Sequence, residues 1–592
     1  MGDLSNSTNM KINNLFLILS TVFIALHFQV VAQQIPQTFQ GRTHMMSVDE
    51  FYRLHQVGKG FSETAPPQGY IRNIAEFERM EGVLVTYLSD SPTDGYFGIP
   101  LDLISEMSKE VNVYTVVEDS NAMNQVLAKY QNASVVIEHV GFILDKADSY
   151  WSRDYGPWFI ANNQKVKIVD FPYNRPRPND DNIPAGFSVF WETEVYGMGL
   201  ISTGGNYMTD GMGIAASCDL VLAENPELSK TQVQKKVNDY LGVHTYHLLD
   251  DPLDDYIEHI DCWGKFLAVD KILITQVPST DYRYADFEAA ANYFTNQNSS
   301  YGTPYKVFRV YSPNGQPYTN SLILNNKVFV PIVTGFGNQW NDEALAVYRQ
   351  ALPGFEIIGF EQDANTPWVS TDALHCRTHE IPDKNLVFVH HLPIHDSLPI
   401  DTREVKISAF IDAYGENKIS DVTLYYQHNQ KRYIGKRMEL DQVKNDTGFL
   451  YHNYITGMEN GDTLKYYIQV TDQSNQITYH PAMGNLEPHQ FFVKVDTATT
   501  PTDISNSIYA GVKLFPNPAN HQLTLVFNNV TERELTLEIF NIQGKLVQQF
   551  QIDAPQEWFR FDLPLDEIPN GMYLLSLKFS GSIIQRKFVI SR

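Results

Sequence analysis

One short pattern recurs between residues 82 and 395: an apolar stretch, a two-residue polar turn and a second apolar stretch. The polar pairs have the composition of β-hairpin turns. They fall at Asn162-Asn163, Asp210-Gly211, Asp270-Lys271 and Asn325-Asn326, which are 48, 60 and 55 residues apart. Helical patterns lie between them at 228–241, 286–297 and 341–352. Strand-rich units with one helix each predict radial repetition around an axis.

An opening unit, made of a strand at 82–89 and a helix at 101–111, raises the expected number of units to five. Polar residues stand just ahead of the four turns, at Asp154, Asn206, Asp261 and Asn320. In a radial fold, equivalent positions of the units meet at one end of the axis. The pattern therefore predicts a site where these side chains converge.

The remainder of the chain predicts further domains, since 592 residues exceed what one core usually supports. Short alternating strands over 400–495 favour an immunoglobulin-like sandwich. A polar linker at 496–510 precedes a small β-sandwich at 511–592, whose turns carry Pro, Gly and Asn. The first domain is expected to span 43–395.

The N-terminus reads as a secretory signal. An apolar run at 15–32 follows Lys11, and cleavage near Ala32 would remove 1–32. A membrane anchor is the rival interpretation, because the run is nearly long enough to span a bilayer; nothing after it resembles a second span. The formal charge of −25 argues against a general nucleic-acid binder. Three cysteines cannot make a disulfide scaffold and leave an unpaired thiol.

Several side chains of the radial region suit hydrolysis of a guanidinium group. That reaction needs a soft nucleophile, carboxylates to hold the fork of N–H donors, and an acid for the departing ammonia. Asp154 and Asp261 can grip a guanidinium through paired charge-assisted hydrogen bonds. His259 would lie on the same side of a strand as Asp261 and could move protons. Cys376, in 371-TDALHCRTHE-380, could attack, its thiolate favoured by the bound cation and nearby histidines.

Other interpretations compete at each position. Asp154 could pair with adjacent Arg153, and His259 could be a satisfied interior histidine. Cys262 would point away from Asp261 in a strand, and Cys218 has the surroundings of a small buried hydrophobe. A metal site at Cys376 is the third alternative, because histidines lie nearby at 375, 379, 390, 391 and 395. Structural zinc usually takes four ligands at tight spacing, so the nucleophile ranks above the metal ligand.

Several ordered segments of residues 60–395 resemble one family. They are 151-WSRDYGPW-158, 203-TGGNY-207, 258-EHIDCWGKF-266, 320-NSLILNNKVFVP-331, 335-GFGNQWNDEAL-345 and 371-TDALHCRTHEIP-382. Together they are similar to the agmatine deiminase branch of the guanidino-group-modifying (pentein) superfamily, in particular its secreted bacterial peptidylarginine deiminases. The resemblance implies an α/β fold, a five-bladed pseudo-symmetric propeller.

The resemblance also implies roles at single positions. Cys376 would be the nucleophile, His259 the general acid and base, and Asp154 and Asp261 the guanidinium clamps. Asn320 would assist at the catalytic centre. Trp151 and Tyr256 would line the substrate channel.

The loop 171-FPYNRPRPNDD-181 bears on the substrate. In the peptidylarginine deiminases that it resembles, its two arginines hold the carboxylate and backbone of a C-terminal arginine, which assigns that role to Arg175 and Arg177. Its prolines would stiffen the loop and lower the entropic cost of presenting both groups. Pairing with Asp180 and Asp181 is the alternative. Agmatine has no carboxylate and would gain nothing from these arginines.

The tail, 511–592, resembles the C-terminal sorting domain of type IX secretion substrates through its LFPNPA, NIQGK and NGMYLL segments. This predicts a protein released outside the cell or attached to its outer surface, with the secretion machinery as a partner. No integral membrane segment is expected in the mature protein.

The sequence thus predicts a secreted hydrolase that converts peptidyl arginine, preferentially at a C-terminus, into citrulline and ammonia. No cofactor or metal is expected, and no segment resembles an acidic EF-hand loop for calcium. An exported agmatine or free-arginine deiminase is the nearest alternative. A secreted cysteine protease and a non-enzymatic surface adhesin are alternatives of other classes.

Overall fold

The computed structural model of the chain describes residues 44–591 except 90–95, 364–365, 396, 444–447, 495–511, 516, 529–533, 554–557 and 580–581. The predicted signal peptide (1–32) and linker (496–510) lie outside the described residues.

Nine α-helices belong to the described part of residues 44–395. They are α1 (Val48–Arg53), α2 (Leu101–Met107), α3 (Ser120–Asn132), α4 (Ser152–Tyr155), α5 (Pro178–Phe190), α6 (Leu220–Glu224), α7 (Lys230–Leu241), α8 (Tyr284–Thr295) and α9 (Asn341–Ala351). Short 3-10 turns lie at Leu54–Gln56, Ile137–His139, Gly204–Asn206, Ile260–Cys262, Asn338–Trp340, His375–Arg377 and Gly484–Leu486.

The strands of the first region are β1 (Ile71–Asn73), β2 (Met80–Thr86), β3 (Asn112–Val117), β4 (Val140–Leu144), β5 (Trp158–Asn162), β6 (Lys165–Asp170), β7 (Val195–Gly197), β8 (Met208–Thr209), β9 (Ile214–Cys218), β10 (Thr245–Leu249), β11 (Gly264–Ala268), β12 (Lys271–Gln276), β13 (Lys306–Tyr311), β14 (Leu322–Leu324), β15 (Lys327–Ile332), β16 (Glu356–Glu361) and β17 (His379–Pro382).

The later strands are β18 (Val387–His390), β19 (Glu404–Ala413), β20 (Ile419–His428), β21 (Ile434–Arg437), β22 (Glu439–Val443), β23 (Phe449–Thr456), β24 (Thr463–Asp472), β25 (Ile477–His480), β26 (His489–Phe492), β27 (Lys513–Phe515), β28 (Gln522–Asn528), β29 (Glu534–Asn541), β30 (Leu546–Asp553), β31 (Trp558–Pro564), β32 (Gly571–Phe579) and β33 (Ser582–Ile590).

Five small sheets of the first region share one plan. Four contain an antiparallel hairpin whose second strand pairs in parallel with a third strand, reached through one or two helices: β5-β6-β7, β8-β9-β10, β11-β12-β13 and β14-β15-β16. The fifth is β17-β2-β3-β4. There β17 takes the antiparallel place beside β2, so the end of the region pairs with its beginning. Each hairpin therefore brings the residues ahead of it to a corresponding place in its sheet.

The four predicted hairpins are confirmed, but only the last has its two-residue turn at the predicted position. In the third hairpin Ala268 pairs with Lys271, so the turn is one residue earlier than predicted. In the second hairpin Thr209 pairs with Ala215, so the connection is longer than two residues. Leu324 pairs with Lys327, which leaves Asn325-Asn326 as the turn, and Asn325 takes a positive φ of 56°. Asparagine tolerates that conformation better than most residues. In the first hairpin Asn162 pairs with Lys165, so the turn is one residue later than predicted.

The helices predicted at 228–241, 286–297 and 341–352 are confirmed as α7, α8 and α9 with ends shifted by at most two residues. The one predicted at 101–111 is α2, which ends earlier, at Met107. Local chemistry fixes α7: Ser229 and Gln232 form a reciprocal capping box, and Gly242 ends the helix with a left-handed φ of 69°.

Both faces of the central strands are covered. Val83, Leu84 and Val85 are fully buried in succession on β2, as expected of strands with helices or sheets on either side. Burial of each such side chain stabilises the fold by about 1.5–3 kcal/mol. These cores hold the ends of the strands and the turns beyond them in fixed positions.

The C-terminal part of the chain is β-rich. One sheet, β18-β19-β23-β22, and a second, β21-β20-β24-β25 with β26 beside β24, share a core that includes Ile411, Leu424 and Ile468. The tail has sheets β27-β28-β31 and β30-β29-β32-β33 around a separate apolar core. Within the described residues, no helix has the length and apolarity needed to cross a membrane.

Candidate active site

Cys376 lies in a 3-10 turn whose conformation is fixed by the buried Arg377. The guanidinium of Arg377 donates to the carbonyl oxygens of Gly98 (2.6 Å) and Thr366 (2.9 Å). It also binds both carboxylate oxygens of Asp372, at 2.9 and 2.8 Å. A bidentate pair of this kind is geometrically specific. The turn is therefore held rigidly, and the thiol with it.

Asn320 connects this turn to the start of β14. Its Oδ1 accepts hydrogen bonds from the backbone N–H of His375 (2.9 Å) and of Cys376 (3.3 Å). Its Nδ2 donates to Cys376 Sγ at 3.2 Å. The amide therefore both positions the sulfur and offers an N–H that would stabilise a thiolate.

The thiol of Cys376 is fully buried and faces Asp261, with 3.8 Å between Sγ and Oδ2. Burial raises the pKa of Cys376 to about 11; a hydrogen bond with Cys262 opposes this, and the charge of Asp261 adds to it. At neutral pH the sulfur is consequently protonated. A cation placed beside it would favour the thiolate.

His375 holds the carboxylate of Asp261 in place. Its Nδ1 is 2.7 Å from Asp261 Oδ2, and its Nε2 is 3.0 Å from Glu76 Oε2. Burial lowers the pKa of His375 to about 3, so the ring is neutral and has one N–H to donate. Lys265 Nζ, 2.6 Å from Glu76, satisfies the second carboxylate. The ring lies between the two carboxylates and fixes the orientation of Asp261.

Asp154 and His259 form a second buried pair. Asp154 lies on α4 and His259 lies just before the turn Ile260–Cys262, and His259 Nδ1 is 3.6 Å from Asp154 Oδ1. Within the described part of the chain, neither ring nitrogen of His259 has a hydrogen-bond partner. Burial lowers the pKa of His259 to about 3 against the opposing charge of Asp154. The ring is a neutral base with both nitrogens available.

The two glycines of 203-TGGNY-207 make room for this pair. A Cβ on Gly205 would lie 2.5 Å from His259 Nδ1 and 2.9 Å from Asp154 Oδ1. A Cβ on Gly204 would lie 2.0 Å from the carbonyl oxygen of Arg153. Only glycine fits at such close approaches. Asn206 has a structural place, since its amide bonds both backbone groups of Cys218.

Trp151, Arg175 and Arg177 border the Asp154 pair. Trp151 is fully buried, and the Arg177 guanidinium lies 5.0 Å from its ring centroid. Arg175 is also buried, and its Nε has no hydrogen-bond partner among the described residues. Burial raises the pKa of Asp154, and the charges of His259, Arg175 and Arg177 oppose that shift. Two buried guanidinium groups thus lie near the buried carboxylate of Asp154.

Tyr256 stands apart from these contacts. It is 43% exposed, and its hydroxyl is 3.3 Å from Thr371 Oγ1, in the loop that leads to Cys376.

The sequence also suggested ion pairs of Asp154 with Arg153 and of the two loop arginines with Asp180 and Asp181. The contacts that the structure shows for these residues are different. Arg153 forms its ion pair with Glu380, whereas its neighbour Asp154 contacts His44 and His259. Arg177 pairs with Glu50, at 2.6 Å. The carboxylates of Asp180 and Asp181 accept backbone N–H groups, from Ser149 and Tyr173 respectively.

The expected strand around Asp261 is wrong. Residues Ile260–Cys262 form a 3-10 turn, so the alternation of a strand does not apply. Cys262 does not point away: its sulfur, that of Cys376 and a carboxylate oxygen of Asp261 lie within 4.8 Å of one another. Burial lowers the pKa of His259 and of His375 to about 3, so any help that these histidines give the thiolate comes without a positive charge.

Metal-type clusters of the described residues do not join Cys376 to a histidine. The cluster that contains Cys376 consists of Asp261, Cys262 and Cys376. His379 instead bonds the carbonyl oxygen of Pro157, and His391 contacts Ser408 and Tyr466. Cys218 is buried, as predicted, with its sulfur accepting from the Trp263 indole at 3.3 Å.

Four residues of the site were missed from the sequence. Glu76 has no local signal at all, because its partner His375 is 299 positions away. Gly205 was visible only as part of a glycine pair. No local sequence pattern predicts the contact of His44 with Asp154. Glu50 could have been found, because it belongs to a Ser-x-x-Glu capping-box pattern that begins at Ser47.

Comparison with known proteins accounts for two parts of the chain. Residues 72–382, more than half of the chain, match the model of the Porphyromonas-type peptidyl-arginine deiminase family. Residues 513–591 match the secretion system C-terminal sorting domain, which directs type IX secretion to the cell surface or beyond. Deiminases of this kind hydrolyse guanidino C–N bonds.

Individual relatives are more distant. The agmatine deiminase of Medicago truncatula is 23% identical over 310 residues, 43% of this chain and 82% of the relative. The solved agmatine deiminase of Enterococcus faecalis is 19% identical with a TM-score of 0.46, and covers 54% of this chain and 100% of its own. That of C. jejuni is 19% identical with a TM-score of 0.43, and covers 53% and 96%. On the family match, the chain belongs to the Porphyromonas-type peptidyl-arginine deiminase family.

Proposed function

We propose that the protein hydrolyses the guanidinium of peptidyl arginine, preferentially at a peptide's C-terminus, to citrulline and ammonia. The observation that supports this proposal is a set of neighbouring buried side chains that combines a thiol and carboxylates with two guanidinium groups. Asp154 and Asp261 suit the guanidinium, and Arg175 and Arg177 suit a carboxylate. A substrate that ends in arginine carries both groups within one residue.

The first step forms a covalent bond to Cys376. The arriving guanidinium lies between the carboxylates of Asp154 and Asp261, and its charge lowers the raised pKa of the thiol. Neutral His259 takes the thiol proton, and the thiolate adds to the guanidinium carbon. The adduct is tetrahedral and neutral, and the imidazolium now carries the proton that the leaving group needs.

The second half of the reaction releases both products. His259 protonates one amino group, which leaves as ammonia, and an S-alkylthiouronium remains on Cys376. Water then adds to the same carbon while His259 accepts its proton, and the C–S bond breaks to give citrulline and the thiol. Asn320 stabilises the sulfur anion in both halves through its N–H.

Substrate preference follows from the two guanidinium groups. Arg175 is a buried guanidinium whose Nε has no hydrogen-bond partner among the described residues. A charge in such surroundings gains from an anionic partner. A C-terminal carboxylate provides one, whereas agmatine does not. Trp151, stacked beside Arg177, would form one wall for the aliphatic part of the arginine, and Tyr256 would lie at the entrance.

We also propose the larger organisation in which this site works. The five sheets of residues 43–395 would be the blades of a pseudo-symmetric propeller with the site at its hub. The two-sheet unit of 400–495 would be an immunoglobulin-like domain, although β18 already pairs with β19 and extends that unit toward residue 387. The signal peptide (1–32) and the sorting domain (511–592), which follows the linker 496–510, would be removed during export.

The test compares three substrates: a peptide ending in arginine, the same peptide amidated, and agmatine. Deimination adds about one dalton and leaves the backbone whole, so mass spectrometry reads it directly. We expect the highest kcat/KM on the free C-terminal arginine. Replacement of Arg175 or Arg177 by Ala should reduce that preference about 10- to 100-fold, the value of a hydrogen bond to a charged group.

Arg349→Ala is the matched control, because Arg349 is an exposed arginine on α9. It should leave the preference unchanged. Equal rates on agmatine and on the peptide, unaffected at Arg175 and Arg177, would instead favour the agmatine or free-arginine deiminase. Cleavage of the peptide would favour a protease.

A further inference from the structure

His44 lies against the acidic part of the candidate site. His44 Nε2 is 2.6 Å from Asp154 Oδ2, and both side chains are almost fully buried. The His44 ring lies 4.8 Å from that of Trp151, tilted by 35°. It also meets the ring of His259 edge-on, at 5.6 Å. The planar ring of His44, with its N–H donor, thus contacts Asp154, Trp151 and His259, the three residues proposed to bind or process the guanidinium.

Six residues later, a carboxylate lies against one of the two guanidinium groups. Glu50 Oε1 accepts a hydrogen bond from Arg177 Nε at 2.6 Å. Its other oxygen accepts the backbone N–H of Ser47 at 2.7 Å, in the capping box that starts α1. Burial acts to raise the pKa of Glu50, but the hydrogen bond from Arg177 holds it below its usual value. The carboxylate is ionised and is oriented from both sides.

No residue of α1 is buried. Its apolar side chains face solvent, with Val48, Phe51 and Tyr52 between 63% and 74% exposed. Arg53 adds one bond, to the carbonyl oxygen of Pro176 at 3.0 Å. A helix that buries nothing apolar contributes little to a core, so the polar contacts with the cleft are what hold it.

We propose that residues 44–56, the N-terminal segment, act as a built-in substrate mimic that keeps the cleft closed until the segment leaves. His44 stands for the substrate's guanidinium and Glu50 for its C-terminal carboxylate. This inference rests on the proposed function, since it takes Asp154 and Arg177 as the two ends of the substrate site.

The chemistry of the mimic also explains how it can be displaced. Burial lowers the pKa of His44 to about 3, so the ring is neutral and gives Asp154 one uncharged N–H. A guanidinium carries its charge permanently and presents several N–H groups. At Asp154, therefore, the substrate binds better than the segment does. The segment holds the site through being tethered, which gives it a high effective concentration.

The experiment uses the full chain and two readouts. One is the rate at which iodoacetamide alkylates Cys376, assigned by peptide mapping; the other is kcat/KM on a peptide ending in arginine. His44→Ala and Glu50→Ala should each raise both rates, about 10- to 100-fold. Asp49→Ala is the matched control, because Asp49 is a neighbouring acid on α1, 78% exposed, whose ion pair among the described residues is the local one with Arg53. It should change neither rate more than twofold.

A second arm supplies the segment in trans. A synthetic peptide of residues 44–56 should compete with substrate for the Glu50→Ala chain, and the same peptide with Glu50→Gln should compete at least tenfold less. Chelator is added in parallel, because His44, Asp154 and His259 also have metal-type spacing. Release by chelator alone, without an effect of Glu50→Ala, would overturn the proposal.

The outcomes separate this inference from the proposed function. Faster alkylation of Cys376 without any deimination would show that the segment covers the thiol but would refute the deiminase, and with it the segment's role as a mimic of arginine. Deimination by the full chain with both rates unchanged in His44→Ala and Glu50→Ala would refute the mimic and leave the deiminase intact.

Discussion

A single methyl group on Gly205 should disable the site. Its Cβ would lie 2.5 Å from His259 Nδ1 and 2.9 Å from Asp154 Oδ1, and contacts below 3.4 Å are already tight. To restore 3.4 Å at both contacts, His259 would have to move by about 0.9 Å (3.4 − 2.5) and Asp154 by about 0.5 Å (3.4 − 2.9). Misplacement of a catalytic group by about 1 Å costs on the order of 100-fold in rate. Overpacking of this kind also costs about 1–3 kcal/mol of stability.

The assay is kcat/KM for citrulline formation from a peptide ending in arginine, measured on Gly205→Ala and on the unsubstituted chain. Gly264→Ala is the control, because Gly264 is also buried but a Cβ there has its nearest neighbour at 3.6 Å. We expect a loss of about 100-fold for the first and less than twofold for the second. Urea unfolding of both proteins reports whether the loss follows from lower stability. If Gly205→Ala works within twofold of the unsubstituted chain, the placement of His259 against Asp154 is wrong.

Three further predictions concern the sulfur and its surroundings. Cys376→Ala should abolish citrulline formation with folding intact by circular dichroism, whereas Cys262→Ala should keep more than a tenth of the activity; equal losses would contradict the choice of nucleophile. Because burial raises the pKa of the Cys376 thiol to about 11 and the thiolate is the reactive form, its alkylation in the substrate-free, unsubstituted chain should keep rising from pH 8 to pH 10; a plateau below pH 9 would contradict this. His375→Ala should lower kcat about tenfold or more with KM within threefold, since Asp261 loses its orienting donor, and His375→Asn should restore part of the rate; no change in kcat would contradict that role.

The hairpins and helices could be predicted because their signals are local. The residue types of Asn325-Asn326 predict the turn at that position, and the Ser229/Gln232 pair predicts where α7 begins. The partner of β2 could not be predicted in this way, since β17 follows it by nearly 300 residues. No sequence pattern near Met80 or Pro382 predicts that these two strands pair.

At the site, residue types were predicted better than their geometry. Asp154, His259, Asp261, Asn320 and Cys376 were all named from the sequence, and they fall into two buried contact groups. The i, i+2 spacing of His259 and Asp261 suggests a strand, whereas Ile260–Cys262 forms a 3-10 turn, in which Cys262 lies beside Cys376. Contacts such as His44 with Asp154 join residues 110 positions apart and leave no local trace.

The central claim is that Cys376 becomes covalently bonded to an arginine's guanidinium carbon on the way to citrulline. The direct measurement is intact-protein and peptide mass spectrometry of the full chain, quenched with acid during turnover of a peptide that ends in arginine. The account predicts a product peptide about one dalton heavier and a thiouronium adduct that maps to Cys376 and is absent in Cys376→Ala. Citrulline formed by Cys376→Ala at the unsubstituted rate would contradict it.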